Sequence, residues 1–263
     1  MRIASLVVLA TLVAGPANAE PVQVYAAGSL RGVVEDLGKG AKTVLGVEVK
    51  GQFGGSGSMR ERIEKGEAAD LLMSADMNSP LKLEGEGKTV VPVIAFARNR
   101  ECVVSRKAVG ITPANLIAKF TDKAVRVKTS QPIADPSGDY AFAIFDKMDV
   151  AKPGSGAVLK AKAQGLMDAK ATPTAAGQSA LAALFAANQI DATIVYCSAA
   201  VDKELPDLTS FPAPAAFDPH PVYGVAVLST KPDAMRLALY LLSEKGQAII
   251  AKNGLVPLRA ETH

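Results

Sequence analysis

The sequence contains no tryptophan, only two cysteines and only two histidines in 263 residues. One histidine, His263, is the last residue, and the other, His220, lies in a proline-rich stretch. Zinc sites and hydrolases with a Ser-His-Asp triad both depend on histidine, so this scarcity argues against both classes of protein. We therefore expect no metal cation held by the protein, no cofactor and no enzymatic activity.

The charge of the chain is close to balanced. There are 29 lysines and arginines against 26 aspartates and glutamates, which gives a formal net charge of +3. That excess is too small and too evenly spread for a surface that binds nucleic acid. Hydrophobic residues make up 49% of the chain and charged residues 21%, a composition that excludes a disordered or coiled-coil protein.

The N-terminus has the pattern of an export signal. Arg2 precedes an almost unbroken apolar run over residues 3–14, and residues 17–19 have the Ala-x-Ala form of a cleavage site. The run is shorter than the roughly 20 residues that a membrane-spanning helix needs. A buried N-terminal helix or an uncleaved anchor is the alternative. We predict a signal peptide over residues 1–19, cleaved near Ala19, and a periplasmic mature protein.

The two cysteines, Cys102 and Cys197, both lie in apolar stretches with strand character. Neither belongs to a Cys-x-x-Cys redox motif. In an oxidising compartment such a pair is expected to form a disulfide bond. Two buried free thiols are the alternative.

An apolar strand, a turn of small residues and a helix recur along the chain. Residues 22–27 have the pattern of a buried strand, Gly28 and Ser29 follow, and apolar residues then recur at helical spacing as far as Val44. This alternation predicts an α/β fold with mainly parallel sheets flanked by helices.

A second block of the same kind occupies the middle of the chain, and a proline-rich stretch follows it. This order predicts two lobes between which the chain crosses twice, with a ligand cleft between them. Residues 20–98 plus 220–263 form the predicted lobe 1, and residues 99–219 form the predicted lobe 2.

Four turns at the ends of predicted strands are candidates for a binding site, because ligands of α/β sheets bind beyond the carboxyl ends of strands. They are residues 27–30, 54–58, 135–139 and 195–198. The first three open helices with serine or glycine, so free backbone N–H groups and the helix N-terminus favour a small anion. Ordinary helix capping is the alternative at each of these turns. The turn at 54–58 lacks the Gly-Lys-Ser/Thr of a nucleotide-binding loop, which disfavours ATP.

Five segments carry a family resemblance. Ala26-Ala-Gly-Ser-Leu30, Phe53-Gly-Gly-Ser-Gly-Ser58, Ala69-Asp-Leu-Leu-Met-Ser-Ala-Asp76, Ile194-Val-Tyr-Cys-Ser198 and Gly246-Gln-Ala-Ile-Ile250 resemble, in this order, the periplasmic molybdate-binding proteins of ABC importers. The resemblance covers nearly the whole predicted mature chain. It implies the two-lobed type II periplasmic binding protein fold, a molybdate or tungstate ligand held by neutral hydrogen bonds, and delivery to a membrane permease.

The resemblance also implies which residues bind the ligand. Its serine hydroxyls correspond to Ser29 and Ser56, its backbone donors to Ser137 and Gln178, and its tyrosine to Tyr196. The segments around Gln178 and Asp139 depart from the family pattern, as expected for a divergent branch with an altered pocket. The expected partners are a small oxyanion and an ABC permease, with no nucleic acid, and we expect a monomer.

Other functions remain open at this point. The same fold with sulfate, phosphate or a small carboxylate is one alternative, and an exported hydrolase with a serine nucleophile is another. Molybdate has four acceptor oxygens and no proton at neutral pH, so a pocket made only of donors suits it. Monoprotonated phosphate also needs an acceptor, which Asp135 or Asp139 supplies if either points inward.

Overall fold

The computed structural model describes residues 20–163, 180–200 and 205–258. The predicted signal peptide, the predicted ligand residue Gln178 and the terminal His263 lie outside the described residues. In the described part of the chain, the strands are β1 (Val22–Ala27), β2 (Val49–Gly54), β3 (Leu71–Ser74), β4 (Ile94–Arg98), β5 (Glu101–Arg106), β6 (Val127–Lys128), β7 (Ala192–Tyr196), β8 (Leu208–Pro212), β9 (Val222–Val227) and β10 (Val256–Pro257). The helices are α1 (Arg31–Leu45), α2 (Ser56–Glu64), α3 (Asn78–Gly85), α4 (Leu116–Thr121), α5 (Pro136–Ala151), α6 (Ser155–Ala163), α7 (Ala180–Ala186), α8 (Pro232–Leu242) and α9 (Glu244–Lys252).

Two separate sheets, each flanked by helices, organise the molecule. The first has six strands in the order β10-β4-β9-β3-β1-β2, and the second has four in the order β6-β7-β5-β8. The α/β fold class is therefore confirmed. No helix within the described ranges is long and apolar enough to cross a membrane.

The prediction that the sheets are mainly parallel is wrong. In the six-stranded sheet β1 pairs parallel with β2 and β3, but β9 runs antiparallel to both β3 and β4. In the four-stranded sheet only β6 and β7 are parallel, and β5 is antiparallel to β7 and β8. Parallel pairs form where a helix connects consecutive strands, as α1 and α2 do for β1, β2 and β3. The strand β9 instead returns from the other sheet and enters between β3 and β4 in the opposite direction.

Each sheet has its own hydrophobic core. In the six-stranded sheet, α1 turns Val33, Val34, Leu37 and Ala41 inward at helical spacing, and they pack with residues of α8 and α9. The helix α1 ends at Gly46, whose φ of +70° is the left-handed conformation that glycine adopts readily. A second cluster, which includes Phe120, Phe145 and Ile194, fills the space between the four-stranded sheet and helices α4, α5 and α6.

The chain passes between the sheets at two neighbouring places. Asn99 and Arg100 connect β4 to β5, and residues 213–221 connect β8 to β9. The two passages are joined, because the Asn99 N–H donates to the Pro221 carbonyl at 3.0 Å. The predicted lobe boundaries, at 98/99 and 219/220, stay a prediction.

A disulfide bond joins Cys102 of β5 to Cys197, which directly follows β7. The predicted pairing is confirmed, and the alternative of two free thiols is wrong. Because β5 and β7 are already neighbours in the sheet, the bond ties adjacent strands beside the passage at Asn99.

Candidate functional site

Ser29, predicted as a ligand residue, follows β1 in a single 3-10 turn. Its Oγ lies 3.4 Å from the hydroxyl of Tyr223 on β9. Tyr223 is fully buried and makes an edge-to-face contact with Tyr196, with ring centroids 5.5 Å apart. The Asn99 side chain donates to the Tyr223 hydroxyl at 3.0 Å, so Tyr223 links Ser29 to the passage between the sheets.

Ser56 begins α2 and is fully buried. Its Oγ accepts a hydrogen bond from the Ala75 N–H at 3.0 Å, and the Tyr196 hydroxyl donates to the Ala75 carbonyl at 3.2 Å. The peptide groups of Ala75 therefore connect a serine of one sheet to a tyrosine of the other. We call Ser29, Ser56, Ala75, Tyr196 and Tyr223 the cleft cluster. The structure brings three predicted ligand residues, Ser29, Ser56 and Tyr196, into this one cluster.

The N-terminus of α2 offers donors to its surroundings. No side chain caps this helix, whose N-cap is Gly55. The first N–H groups of a helix have no intrahelical partner, and the helix dipole places partial positive charge there. This end of α2 is suited to an anion.

The same end of α2 lies against the loop that precedes α5. A Cβ atom added to Gly55 would be 2.0 Å from the Ala134 carbonyl oxygen, and one added to Gly57 would be 2.0 Å from that of Ile133. The Ser58 N–H donates to the Ala134 carbonyl at 3.4 Å. Only glycine permits this approach, which brings elements of the two sheets into direct contact.

Ser137, predicted to offer a backbone donor, is buried in the first turn of α5. It directly follows the loop that contacts α2. Its N–H, however, donates to Asp135 Oδ1 at 3.1 Å, because Asp135 caps α5. The structure thus places Ser137 near the cleft cluster but shows its N–H already paired.

Two carboxyl groups stand on the side of the four-stranded sheet, the half-buried Asp135 and the fully buried Glu101. Burial raises the pKa of Asp135, against the hydrogen bonds from Ser137 and Ser130. Glu101 is fully buried at the start of β5, and burial together with the charges of Asp218 and Asp135 raises its pKa well above the usual range. Asp139, the other predicted acceptor, is exposed and accepts from the Ile133 N–H at 2.8 Å.

Sequence reasoning missed Glu101 as a functional residue. A signal was present, since Glu101 directly precedes the apolar run 102–104 and belongs to the same predicted strand. A charged group in an otherwise buried strand is unusual unless it is paired or has a function.

A model of the family of bacterial extracellular solute-binding proteins matches residues 22–256. The chain belongs to this family. A relative in Pasteurella multocida (strain Pm70), the uncharacterized protein PM1146, is 30% identical over 243 residues, which are 90% of this chain and 98% of that protein.

Solved structures share the fold of this solute-binding protein. The periplasmic molybdate-binding protein of Azotobacter vinelandii superposes with a TM-score of 0.72 at 17% identity, over 90% of this chain and 100% of that one. The sulfate-binding protein SubI of Mycobacterium tuberculosis H37Rv superposes with a TM-score of 0.73 at 16% identity, over 90% of this chain and 87% of that one. The predicted two-lobed periplasmic binding protein fold is confirmed.

Three tyrosines of this solute-binding protein have raised pKa values. Burial is the main cause that raises the pKa of Tyr140, Tyr196 and Tyr223, and nearby carboxyl groups raise it further. A neutral phenol keeps its O–H as a hydrogen-bond donor, so these side chains can donate to an anion without carrying charge themselves.

Asp76 has a structural role, and His220 lies at the surface. Asp76 accepts from the Ser79 N–H at 2.7 Å and from the hydroxyls of Ser74 and Ser79, each at 3.1 Å, which is the pattern of a strand-end cap. His220 is exposed in the loop before β9, with Nδ1 3.7 Å from Asp218 Oδ2.

Proposed function

We propose that this solute-binding protein is exported to the periplasm, captures a small tetrahedral oxyanion, first of all molybdate or tungstate, and delivers it to an ABC permease. The observation that carries the proposal is the cleft cluster. Ser29, Ser56 and Tyr196 come from three separate segments of the sequence, yet hydrogen bonds and ring contacts through Ala75 and Tyr223 make them continuous.

The chemistry of the cluster suits a naked dianion. The hydroxyls of Ser29 and Ser56 are neutral donors, and the uncapped end of α2 adds backbone N–H groups and partial positive charge. The Tyr196 hydroxyl donates to the Ala75 carbonyl and becomes a further donor when it exchanges that carbonyl for the ligand. A molybdate ion has four acceptor oxygens and no proton to donate at neutral pH, so neutral donors satisfy it. The matched molybdate-binding protein of Azotobacter vinelandii has the same fold.

Capture depends on closure of the two lobes. Ser29 and Ser56 belong to segments of the six-stranded sheet, and Tyr196 belongs to the four-stranded sheet. Only the closed form brings all these donors to one anion, so the anion stabilises that form. The permease would recognise the closed form with its cargo.

Another anion in the same cleft is the second candidate, and Glu101 and Asp135 favour it. A carboxylate in the cleft can accept a hydrogen bond from the P–OH group of hydrogen phosphate, and molybdate has no such donor. The sulfate-binding protein SubI also superposes as well as the molybdate-binding protein does. A serine-dependent hydrolase has less support, because the described histidine, His220, lies in an exposed loop.

The test is a thermal-shift and calorimetric screen of the purified protein against molybdate, tungstate, sulfate, phosphate and a small carboxylate. A ligand that binds only the folded state raises the melting temperature. We expect the largest shift with molybdate or tungstate. A larger rise of the melting temperature with sulfate or phosphate would support the second candidate in place of molybdate or tungstate. If no anion shifts the melting temperature, the proposed function is wrong.

A further inference from the structure

Glu101 is a buried acid without a hydrogen-bond partner. It is 0% exposed, and within the described part of the chain neither carboxyl oxygen has a partner. Its backbone is fully integrated in the sheet, where Glu101 stands directly opposite Tyr196 in the pairing of β5 with β7. Buried polar groups are nearly always hydrogen-bonded, and an ionised one without a partner is costly. We therefore expect the hydrogen-bond partner of this side chain to be a group that is present only when solute is bound.

The position of Glu101 points to the cleft cluster. Directly opposite residues of an antiparallel pair project their side chains from the same face of the sheet. Glu101 thus lies beside Tyr196, whose hydroxyl reaches Ala75 across the gap between the sheets. The charge of Glu101 also acts on Tyr223 and Tyr140, so the acid is close to the phenols of the cluster.

Among the residues that the structure describes, the groups around Glu101 do not neutralise a negative charge. The charges that act on it are the carboxyls of Asp218 and Asp135. The titratable and charged groups on the surrounding elements are Tyr196 of β7, Tyr223 of β9, Asp135, Asp139, Tyr140 and Lys147 at and within α5, Asp218 and His220 before β9, and Asp76 after β3. The lysine among them, Lys147, donates to the backbone carbonyl of Asp218 at 2.6 Å.

These acids do not form a cation site. Within residues 20–163, 180–200 and 205–258, no three His, Cys, Asp or Glu side chains are placed to hold a metal ion. A proton is the remaining way to neutralise Glu101 in the closed form.

We propose that Glu101 is a ligand-contacting residue that carries a proton in the closed form and donates a hydrogen bond through it to the bound oxyanion, so that solute capture takes up one proton. This inference rests on the proposed function of the cleft as an oxyanion site. Protonation turns Glu101 from an acceptor that repels a dianion into a further neutral donor beside Tyr196.

Closure of the cleft is the physical cause of the proposed proton uptake. This uptake requires that opening of the cleft expose Glu101 to water, where its carboxyl would ionise as that of an ordinary glutamate does. Closure removes that water, which disfavours the charged form, and a dianion beside it disfavours the charged form further. A proton from solvent therefore enters with molybdate, tungstate or sulfate. Hydrogen phosphate brings its own proton, so it needs none from solvent above its second ionisation.

Proton counting by calorimetry tests the inference. Binding heats of molybdate and sulfate are measured from pH 6 to pH 9, in pairs of buffers that differ in ionisation enthalpy. We expect an uptake of about one proton per anion, and an association constant that falls about tenfold per pH unit where Glu101 is ionised in the open form and protonated in the closed form. Phosphate above pH 8 should show an uptake close to zero.

The variant Glu101→Gln tests whether the carboxyl group of Glu101 is the group that takes up the proton. Its amide still donates a hydrogen bond, so we expect anion binding without proton uptake and with little dependence on pH. The control Glu244→Gln changes an exposed glutamate at the start of α9 and should behave as the wild type. Should Glu101→Gln fail to fold, the proton count of the wild-type protein decides by itself.

The outcomes separate the two claims. Anion binding by the wild type without proton uptake at any pH from 6 to 9 would overturn the role of Glu101 and leave the proposed function standing. Equal uptake in Glu101→Gln and wild type would also overturn it. Absence of binding of every oxyanion by the wild type would overturn the proposed function and this inference with it.

Discussion

Helices α2 and α5 begin on opposite sides of the gap between the two sheets, and they differ in how their N-termini are capped. No side chain caps α2, whereas Asp135 caps α5 and accepts from the Ser137 N–H. Beside α2 stand the hydroxyls of Ser29 and Ser56, and beside α5 stands the buried acid Glu101. The start of α2, one wall of the cleft, thus has no carboxylate of its own and pairs its Ser58 N–H only with the Ala134 carbonyl, while the start of α5, the other wall, has its Ser137 N–H paired with its own carboxylate.

This difference teaches that a helix N-terminus is not by itself an anion site. The turns at 54–58 and 135–139 have similar sequences, with small residues that open a helix after a strand or loop. An aspartate at the N-cap position decides between them, because its carboxylate occupies the donors and adds a negative charge. We expect the α2 wall to supply most of the attraction for an anion and the α5 wall to complete the enclosure.

The largest effect should come from a change that keeps the two walls apart. Gly57→Ala places a Cβ atom 2.0 Å from the Ile133 carbonyl oxygen in the closed form, while alanine is favourable in an open helix. We expect anion affinity to fall roughly 100-fold, because the closed population shrinks. The control is Gly85→Ala in α3, where the added Cβ meets nothing within 4 Å. Unchanged affinity in Gly57→Ala, measured by calorimetry, would show that capture does not need this contact.

A smaller loss should follow removal of one donor from the α2 wall. Ser56→Ala deletes a hydroxyl that stands at the helix N-terminus, and we expect weaker anion binding by about 1–3 kcal/mol. Calorimetry measures the affinity, and the melting temperature without ligand reports the loss of the hydrogen bond from Ala75. Thr43→Ala, which removes an exposed hydroxyl on α1, is the matched control. Equal affinities of Ser56→Ala and the control would remove Ser56 from the site.

The smallest effect should have the opposite sign. Asp135→Asn keeps a capping oxygen for the Ser137 N–H but removes a charge from the α5 wall. We expect molybdate or sulfate to bind about threefold more tightly, since one source of repulsion is lost. The comparison of the two walls predicts opposite signs for Ser56→Ala and Asp135→Asn. A loss of affinity in both variants would mean that the walls act alike.

The parts of the site that sequence reasoning found are those with local signals. Ser29 and Ser56 lie shortly after strands, where the strand-turn-helix pattern locates them, and the pairing of Cys102 with Cys197 follows from the predicted export. The fold class follows from the same alternation of elements. Each of these features depends on residues close together in sequence or on the compartment.

The parts that it missed depend on how distant segments meet. The antiparallel insertion of β9 is decided by the return path of the chain, which no local pattern records. Glu101 acquires its significance from its cross-strand partner Tyr196, 95 positions away. The pairing of Ser137 with Asp135 is the exception, because Asp-Pro-Ser is itself a helix-start pattern and was open to that interpretation.

The disulfide bond has a mechanical consequence. Cys102 follows Glu101 in the chain and Cys197 follows Tyr196, so the covalent link fastens the acid and the phenol side by side. Under the proposed closure, opening would separate Tyr196 from Ala75, whereas Glu101 and Tyr196 would stay paired. The two side chains would therefore move together as one rigid unit, and each bound anion would meet them in the same relative orientation.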